Sequence, residues 1–270
     1  MLMRKLIPHY VEKPWGRTDL PTIFADGSGR RIGEVWFQSG DGSDLPLLVK
    51  YIFTSEPLSI QVHPNDAQAL DKGLPRGKEE IWYVLDCEPG ATLGIGLTVA
   101  MTPDQFRVAA EDGLLEQWID WKPVKPGDCY FIPAGTVHAI GAGITLVEIQ
   151  QNVDFTYRLY DYGRPRELHL EDGIAVSRLL PYGRAPIQAP LGSETRLIGV
   201  DEAPFSLDLV HWTTDQNISV PDGKILWFTP LTGAGKVKGL SWEKGECLIL
   251  EGDCVFSLTG PTSALLAIPR

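Results

Sequence analysis

Short apolar runs separated by turn residues dominate the pattern along the chain. Aromatic and β-branched residues are frequent in these runs, and both types favour strands. Glycine- and proline-containing turns separate the runs, as expected for strands joined by hairpins. In the first 160 residues we predict strands at Arg31–Gln38, Leu47–Thr54, Leu58–His63, Glu80–Asp86, Ala91–Leu97, Cys129–Ile132, Ile144–Gln150 and Phe155–Tyr160. Residues 1–30 contain scattered proline and glycine and yield no clear assignment.

Helical signals are few. The clearest covers Thr102–Glu111, where Thr102 is a suitable N-cap, Pro103 suits the first helical position and Gln105 completes a capping box. Apolar residues then follow the helical period. Two shorter helices are predicted at Asn65–Leu70 and Glu171–Ser177.

The last part of the chain also has a β pattern. We interpret Leu168–Ile198 as a linker, and residues 199–270 as short strands with glycine turns. Both halves therefore favour β-barrels or sandwiches. The predicted strands are Lys224–Phe228, Lys236–Trp242, Glu246–Leu250, Cys254–Leu258 and Ala264–Ile268.

The composition of the chain argues against several classes of function. The 270 residues carry a formal net charge of −11, which argues against a nucleic-acid or anionic-membrane partner. No apolar run approaches the length of a membrane span, and the N-terminal residues do not resemble a signal peptide. The cysteines lack metal-site spacing, so we predict reduced thiols in a cytoplasmic protein; they are Cys87, Cys129, Cys247 and Cys254.

Four polar residues at strand positions suggest a metal site. Gln61 and His63 lie two apart on a predicted strand, so both side chains leave the same face. Glu80 and His138 are polar residues at the ends of two other apolar runs. Glu79 competes with Glu80, but strand alternation groups Glu80 with the apolar positions that follow it. Two imidazoles, a carboxylate and an amide oxygen suit a divalent metal with a position open for substrate.

Two sequence motifs resemble signatures of known protein families. The segment from Gly127 to His138, Gly-x5-Pro-x-Gly-x2-His, resembles the second signature of the cupin barrels. The segment Leu58–Asp66, followed by Gly-Lys-x-Glu-x-Trp-Tyr from Gly77, resembles the class I phosphomannose isomerases in their short bacterial form. Ile32–Trp36 and Glu148–Asp161 add to this resemblance, which covers roughly residues 10–170.

The resemblance implies an all-β fold. Two double-stranded β-helix (cupin or jelly-roll) barrels would lie in tandem with a few short helices. Residues 1–170 would form the metal-binding catalytic domain and residues 171–270 a degenerate cupin-like domain. The sequence departs from the family in three ways: it has no room for the large helical insert of longer members, Ala142 replaces the cupin asparagine, and the second half lacks paired histidines.

The resemblance also assigns roles. Gln61, His63, Glu80 and His138 would bind one Zn²⁺ per chain, or another divalent metal in its place. Lys78, Glu148 and Arg158 would be the active-site lysine, carboxylate and arginine. Substrate phosphate would contact Ser59, Lys78 or Arg158, with Arg164 and Lys13 as further candidates.

The implied reaction interconverts mannose 6-phosphate and fructose 6-phosphate through an enediol intermediate. A base must move a proton between adjacent carbons, and cations must stabilise oxyanion charge and hold the phosphate. Glu148 is the first candidate for the base, because Leu146, Glu148 and Gln150 share a strand face. Lys78 is the second, and the sequence does not separate the two.

Two other functions stay open at this point. A non-enzymatic cupin that senses sugar phosphate would keep the same ligands, and an iron-dependent cupin oxygenase would also use a His–carboxylate site. The arginine and lysine candidates favour an anionic sugar. We expect a small-molecule phosphosugar partner and a monomer or homodimer.

Overall fold

A computed structural model describes residues 2–25 and 27–270. Strands make up most of the regular structure in this part of the chain. They are β1 (Met3–Lys5), β2 (Ile7–Arg17), β3 (Ile32–Gln38), β4 (Leu47–Phe53), β5 (Ile60–Val62), β6 (Glu80–Cys87), β7 (Thr92–Leu97), β8 (Ile119–Pro123), β9 (Asp128–Ile132), β10 (His138–Ile140), β11 (Ile144–Gln151), β12 (Tyr157–Tyr160), β13 (Ile187–Gln188), β14 (Thr195–Ile198), β15 (Phe205–Trp212), β16 (Gln216–Ser219), β17 (Leu226–Pro230), β18 (Ala234–Val237), β19 (Leu240–Glu243), β20 (Leu248–Leu250), β21 (Asp253–Leu258) and β22 (Thr262–Pro269). The helices are α1 (Asp66–Asp71), α2 (Pro103–Glu111) and α3 (Leu170–Val176), with short 3-10 helices at Thr22–Phe24 and Leu115–Trp118.

Four sheets form two barrels. In the first barrel, a seven-stranded sheet (β13-β9-β6-β11-β4-β3-β2) faces a five-stranded sheet (β12-β5-β10-β7-β8). In the second, a six-stranded sheet (β1-β20-β17-β22-β15-β14) faces a four-stranded sheet (β16-β21-β18-β19). Strand pairs are antiparallel, which confirms the predicted mainly β barrel class.

The seven-stranded sheet is buried on both faces, which explains the almost unbroken apolar run of β4. Val49 and Tyr51 lie in a core shared with Leu265 and Ala267 of the second barrel. Ile52, on the opposite face, packs inside the first barrel. Alternation along the strand therefore directs the single charged residue of β4, Lys50, into the first barrel.

Helices cover the outer face of the five-stranded sheet. Phe106 of α2 and Ile174 of α3 pack there with Ile60 and Val62. The capping box predicted for α2 is present, since the Thr102 side chain accepts from the backbone N–H of Gln105 while the Gln105 side chain accepts in return. Within the described residues, none of the helices is long and apolar enough to cross a membrane.

Some sequence predictions were wrong in detail. The N-terminal segment without an assignment contains β2, which continues through Pro14. The predicted strand Lys236–Trp242 is two strands, because Lys238 and Gly239 both have positive φ and form a tight turn. The predicted linker contains, besides the expected short helix, which is α3, the two short strands β13 and β14 that were not predicted.

The two barrels exchange strands across the predicted boundary at residue 170. β1 pairs with β20 in the second barrel, and β13 pairs with β9 in the first. The boundary itself falls at the start of α3, which packs against β12. The division into domains 1–170 and 171–270 stays a prediction.

Candidate active site

Three candidate residues form one row across the five-stranded sheet. Antiparallel pairing places His138 of β10 opposite Gln61 of β5, and Gln61 opposite Arg158 of β12. Side chains at directly paired positions lie on the same face of a sheet. This register brings residues that are far apart in the sequence to one wall of the barrel.

The opposite wall supplies the carboxylates. Glu80 lies on β6 and Glu148 on β11, both on the inner face of the seven-stranded sheet. Glu148 is paired with Trp82 on one side and with Lys50 on the other. The predicted strand alternation, with Glu148 on an inward face, agrees with these registers.

His63, Glu80 and His138 meet between the two walls. One potential ligand atom from each lies within 4.8 Å of the others, and all three side chains are buried. His138 Nε2 is 3.3 Å from one Glu80 oxygen, and His63 Nε2 is 3.5 Å from the other. Glu79 points elsewhere, since its carboxylate accepts from the backbone N–H of Ala134.

The protonation of the two histidines suits metal binding. His138 Nδ1 donates to the carbonyl oxygen of Thr136 at 2.8 Å, so its Nε2 carries the lone pair. Burial lowers the pKa of His138 to about 4. Burial and then the charge of Lys78 lower the pKa of His63 well below its ordinary value. Both imidazoles are therefore neutral near pH 7, which is the form that binds a metal.

The donor set fits a divalent cation. Glu80 Oε1 is buried without a hydrogen-bond partner among the described residues, and it faces the lone pair of His138 Nε2. Two acceptors at this distance repel each other unless a proton or a metal cation lies between them. Burial raises the pKa of Glu80, as expected for a carboxylate whose charge is incompletely balanced. Two imidazoles and a carboxylate are ligands typical of zinc sites.

Gln61 lies at the edge of this cluster. Its amide nitrogen is 3.2 Å from His138 Nε2, and its amide oxygen is 3.4 Å from the hydroxyl of Ser59. For Gln61 to be a ligand, the amide must turn so that its oxygen faces the histidines. That rotation places an acceptor where the nitrogen now lies, and the ligand role of Gln61 stays a prediction.

Lys78 lies inside the cluster. Its ammonium group donates to Glu80 at 2.6 Å and contacts His63 Nε2 at 2.9 Å, and the side chain is buried. Lys78 lies two residues before Glu80, the first residue of β6, so the period of extended backbone already predicts that the two side chains lie near each other. Lys78 thus contacts two candidate ligands directly.

Glu148 forms a buried ion pair that the sequence analysis missed. Lys50 Nζ is 2.9 Å from Glu148 Oε2, and Trp82 Nε1 donates to Glu148 Oε1 at 3.1 Å. Burial alone would raise the pKa of Glu148, but the charges of Lys50 and Lys78 outweigh it and hold this pKa below its usual range. The lysine ammonium also lies 4.8 Å from the ring centre of Trp36.

A cavity of about 360 Å³ opens beside the cluster. Arg158 and Ser59 line it, as do Lys13 and Gln61, so most of the predicted phosphate candidates reach the same space. Arg164 does not line this cavity; it contacts Glu56, the carbonyl of Pro57 and Asp161. Polar residues that line the cavity without having been proposed from the sequence are Glu34, Lys50, Asp154, Thr156, Arg166 and His169.

A signal for Lys50 was present in the sequence. A lysine within the buried strand Leu47–Phe53 has to be paired, because an uncompensated buried charge is costly. Arg166 and His169 gave no such signal, since both lie in an irregular segment after β12.

Facing sheets with a buried His–Glu–His cluster beside a polar cavity define a fold of the cupin type with a candidate metal site. No protein-family model matches the chain. Relatives and solved structures do match it over most of its length.

Two curated relatives come from Bacillus subtilis (strain 168). The chain is 32% identical to "Probable mannose-6-phosphate isomerase GmuF", over 95% of this chain and 98% of that protein. It is 41% identical to mannose-6-phosphate isomerase ManA, over 55% of this chain and 51% of that protein, so this match spans about half of ManA.

Two solved structures extend the comparison to the fold. The mannose 6-phosphate isomerase from Bacillus subtilis has a TM-score of 0.82 at 25% identity and covers 98% of this chain and 99% of its own. A zinc-bound mannose 6-phosphate isomerase has a TM-score of 0.68 at 15% identity, with coverage of 97% and 98%. The chain belongs to the mannose-6-phosphate isomerase family.

Proposed function

We propose that the chain interconverts mannose 6-phosphate and fructose 6-phosphate with one zinc ion held by His63, Glu80 and His138, and Gln61 as a fourth ligand. The observation that carries the proposal is the convergence of three buried ligand atoms at the wall of a cation-lined cavity. The relatives named mannose-6-phosphate isomerase support the substrate, and the zinc-bound family structure supports the metal.

Zinc, when bound, supplies a Lewis acid that stabilises negative charge on sugar oxygens. The residues of the chain prepare the site for this charge. The carbonyl of Thr136 holds His138 in the tautomer whose Nε2 faces the centre. Lys78 balances the carboxylate of Glu80 through a short hydrogen bond. Arg158 adds a planar cation suited to two oxygens at once.

The isomerisation requires a proton to leave C2 and another to enter C1. Glu148, the first sequence candidate for the base, is bound by Lys50 and by Trp82. Its low pKa keeps it ionised but makes it a weak base. Lys78 lies closer to the ligands, and its neutral amine would be the base that takes the C2 proton and returns it at C1. A cation bound beside it would favour this neutral form over the ammonium. We therefore assign proton transfer to Lys78, and we assign to Glu148 and Lys50 the electrostatic support of the site.

A turnover assay with metal analysis on the same sample tests this function. The purified protein, with zinc, cobalt or manganese restored, should convert mannose 6-phosphate to fructose 6-phosphate in a coupled assay. The same sample should contain about one metal ion per chain. Unphosphorylated mannose is the control for the phosphate requirement.

Two results would replace the proposal. Tight binding of mannose 6-phosphate without turnover at any of the three metals would indicate a sugar-phosphate sensor. Oxygen uptake that depends on iron would indicate an oxygenase.

Three further predictions go with this proposal. We keep the cytoplasmic location, the monomeric or homodimeric state and the lack of nucleic-acid or membrane partners as predictions. Sedimentation of the zinc-loaded protein tests the oligomeric state. Fractionation of cells that produce the protein tests its location.

A further inference from the structure

The segment after β12 folds back onto Arg158. The backbone N–H of His169 donates to the carbonyl of Arg158 at 2.7 Å, and the backbone N–H of Arg158 donates to His169 Nδ1 at 3.2 Å. Arg158 Nη1 donates to the carbonyl of Glu167 at 2.8 Å. Three hydrogen bonds from one returning segment thus fix both the backbone and the guanidinium group of Arg158.

His169 is an unusual residue for its position. It immediately precedes α3, where Ser, Thr, Asp or Asn normally accepts a helix N–H through its side chain. The His169 side chain makes no such capping bond, although its carbonyl accepts from Gly173 N–H at 2.8 Å. Its imidazole is instead directed to Arg158, a role that the aliphatic or hydroxyl residues common in loops cannot reproduce.

Packing fixes the position of His169 relative to β12. A Cβ atom at Gly173 would lie 2.5 Å from Leu159 Cδ2, so a larger residue there would have to displace the buried Leu159 side chain. The ring of Tyr157 also contacts the imidazole edge to face, at 6.2 Å between centroids. The imidazole is therefore held by the helix and by the strand that carries Arg158.

Arg158 has unused capacity for an anion. Its Nε is buried and has no hydrogen-bond partner among the described residues. Burial and then the charge of Arg166 lower the pKa of Arg158, so a second guanidinium is near enough to repel it. Arg166 is balanced by Asp161 through two hydrogen bonds of 2.6 Å. Arg158, Arg166 and His169 all line the active-site cavity.

We propose that His169 is a positioning residue, which holds Arg158 in the orientation that binds the anionic sugar. This inference rests on the proposed function, because the anion is taken to be the phosphate or the developing oxyanion of the sugar phosphate. His169 acts through Nδ1, and its effect on the substrate passes through Arg158.

Three substitutions of His169 separate this role from general packing. Asparagine can place its Oδ1 near the position of Nδ1, glutamine can place its amide only near Nε2, and leucine offers no acceptor. We expect His169→Leu and His169→Gln to lower kcat/KM for mannose 6-phosphate by about tenfold or more, the loss expected for one hydrogen bond. The kcat/KM of His169→Asn should lie within about threefold of that of the unsubstituted protein.

Arg158→Gln provides the matched background. If His169 acts through Arg158, His169→Leu should have no further effect on kcat/KM in the Arg158→Gln protein. Metal content should be the same for His169→Asn and His169→Gln, and both variants should stay folded at the assay temperature, although asparagine is also a favourable N-cap for α3. Full activity of His169→Leu, equal activity of the Asn and Gln variants, or an undiminished loss in the Arg158→Gln background would each overturn the inference.

Calorimetric binding of mannose 6-phosphate distinguishes this inference from the proposed function. If the protein binds the sugar phosphate without turnover, the isomerase proposal fails. The role of His169 is then tested by Kd, which should be weakened more by His169→Leu and His169→Gln than by His169→Asn. If the three variants do not differ in Kd in this way, the role of His169 fails as well. An unsubstituted, metal-loaded protein that neither binds nor converts mannose 6-phosphate overturns both.

Discussion

The two barrels have similar two-sheet architectures but opposite interiors. The first holds charged and polar side chains between its sheets, including Lys50, Glu80 and Glu148. The second is filled by aromatic rings that contact one another. They are Trp212, Phe228, Trp242 and Phe256, with ring centroids of the contacting pairs 4.9–5.9 Å apart. One interior therefore leaves room and charge for a ligand, and the other does not.

The difference indicates that the two barrels contribute differently, one to ligand binding and the other to stability. Buried charges lower the free energy of unfolding unless they are paired, so the charged interior of the first barrel contributes less to stability than an apolar interior would. Close-packed aromatic rings bury a large apolar area and add favourable ring contacts. The second barrel also shares a core with the seven-stranded sheet, through residues such as Leu265 and Ala267. We infer that it supports the sheet that carries Glu80 and Glu148.

The largest effect should come from removing a ligand in the first barrel. His138→Ala should lose bound metal and lower turnover of mannose 6-phosphate by about 10³-fold, because a metal contributes several kcal/mol to the barrier. Metal analysis and the coupled assay check both parts. His211→Ala, which removes a histidine bonded to Ser263 in the second barrel, is the matched control and should keep both. An active, metal-containing His138→Ala protein would refute the site.

The second-largest effect should come from breaking the buried ion pair between Lys50 and Glu148. Lys50→Met leaves the Glu148 carboxylate without its partner, and the free energy of unfolding should fall by about 3–5 kcal/mol in urea titrations. Replacing both residues, as Lys50→Met with Glu148→Leu, should recover most of this loss but not the activity. On the surface of the second barrel, Arg196→Ala beside Asp208 should cost less than about 1 kcal/mol, since Arg196 is 63% exposed. Equal costs at the two sites would mean that Lys50 and Glu148 are not buried as described.

The smallest effect on chemistry should come from the aromatic core. Phe228→Ala leaves a cavity among the rings of the second barrel and should lower the free energy of unfolding by about 3 kcal/mol. Below the unfolding transition, metal content and KM should not change. Thermal unfolding together with steady-state kinetics checks this, and a metal-free Phe228→Ala protein would show that the barrels are coupled more tightly than their separate interiors suggest.

Much of the site could be predicted because its residues are spaced by strand geometry. His63 follows Gln61 by two residues and Lys78 precedes Glu80 by two, so each pair shares a face without any knowledge of the fold. The meeting of these strands depended on the family resemblance. Register across the five-stranded sheet, which joins His138, Gln61 and Arg158, is a long-range property that no local pattern encodes.

Physical reasons explain why some features were not predicted from the sequence. Residues 1–30 had no clear assignment because of their scattered proline and glycine. Pro14 is nevertheless accommodated in β2, since this strand lies at the edge of its sheet, where a missing N–H costs no ladder bond. Gly16 then allows close contact, since a Cβ there would lie 2.4 Å from the backbone of Ile32. His169 was overlooked because its partner is the backbone of a residue eleven positions earlier, which depends on how the intervening segment turns.

The pairing of β1 with β20 has a consequence for the order in which the protein is made. Met3 lies opposite Leu250, so β1, an edge strand of the second barrel, is synthesised well before the strand with which it pairs. At about 5–20 residues per second, translation separates the two strands by tens of seconds. During that interval β1 lacks its partner strand, and the six-stranded sheet is completed only after both β20 and β22 have left the ribosome.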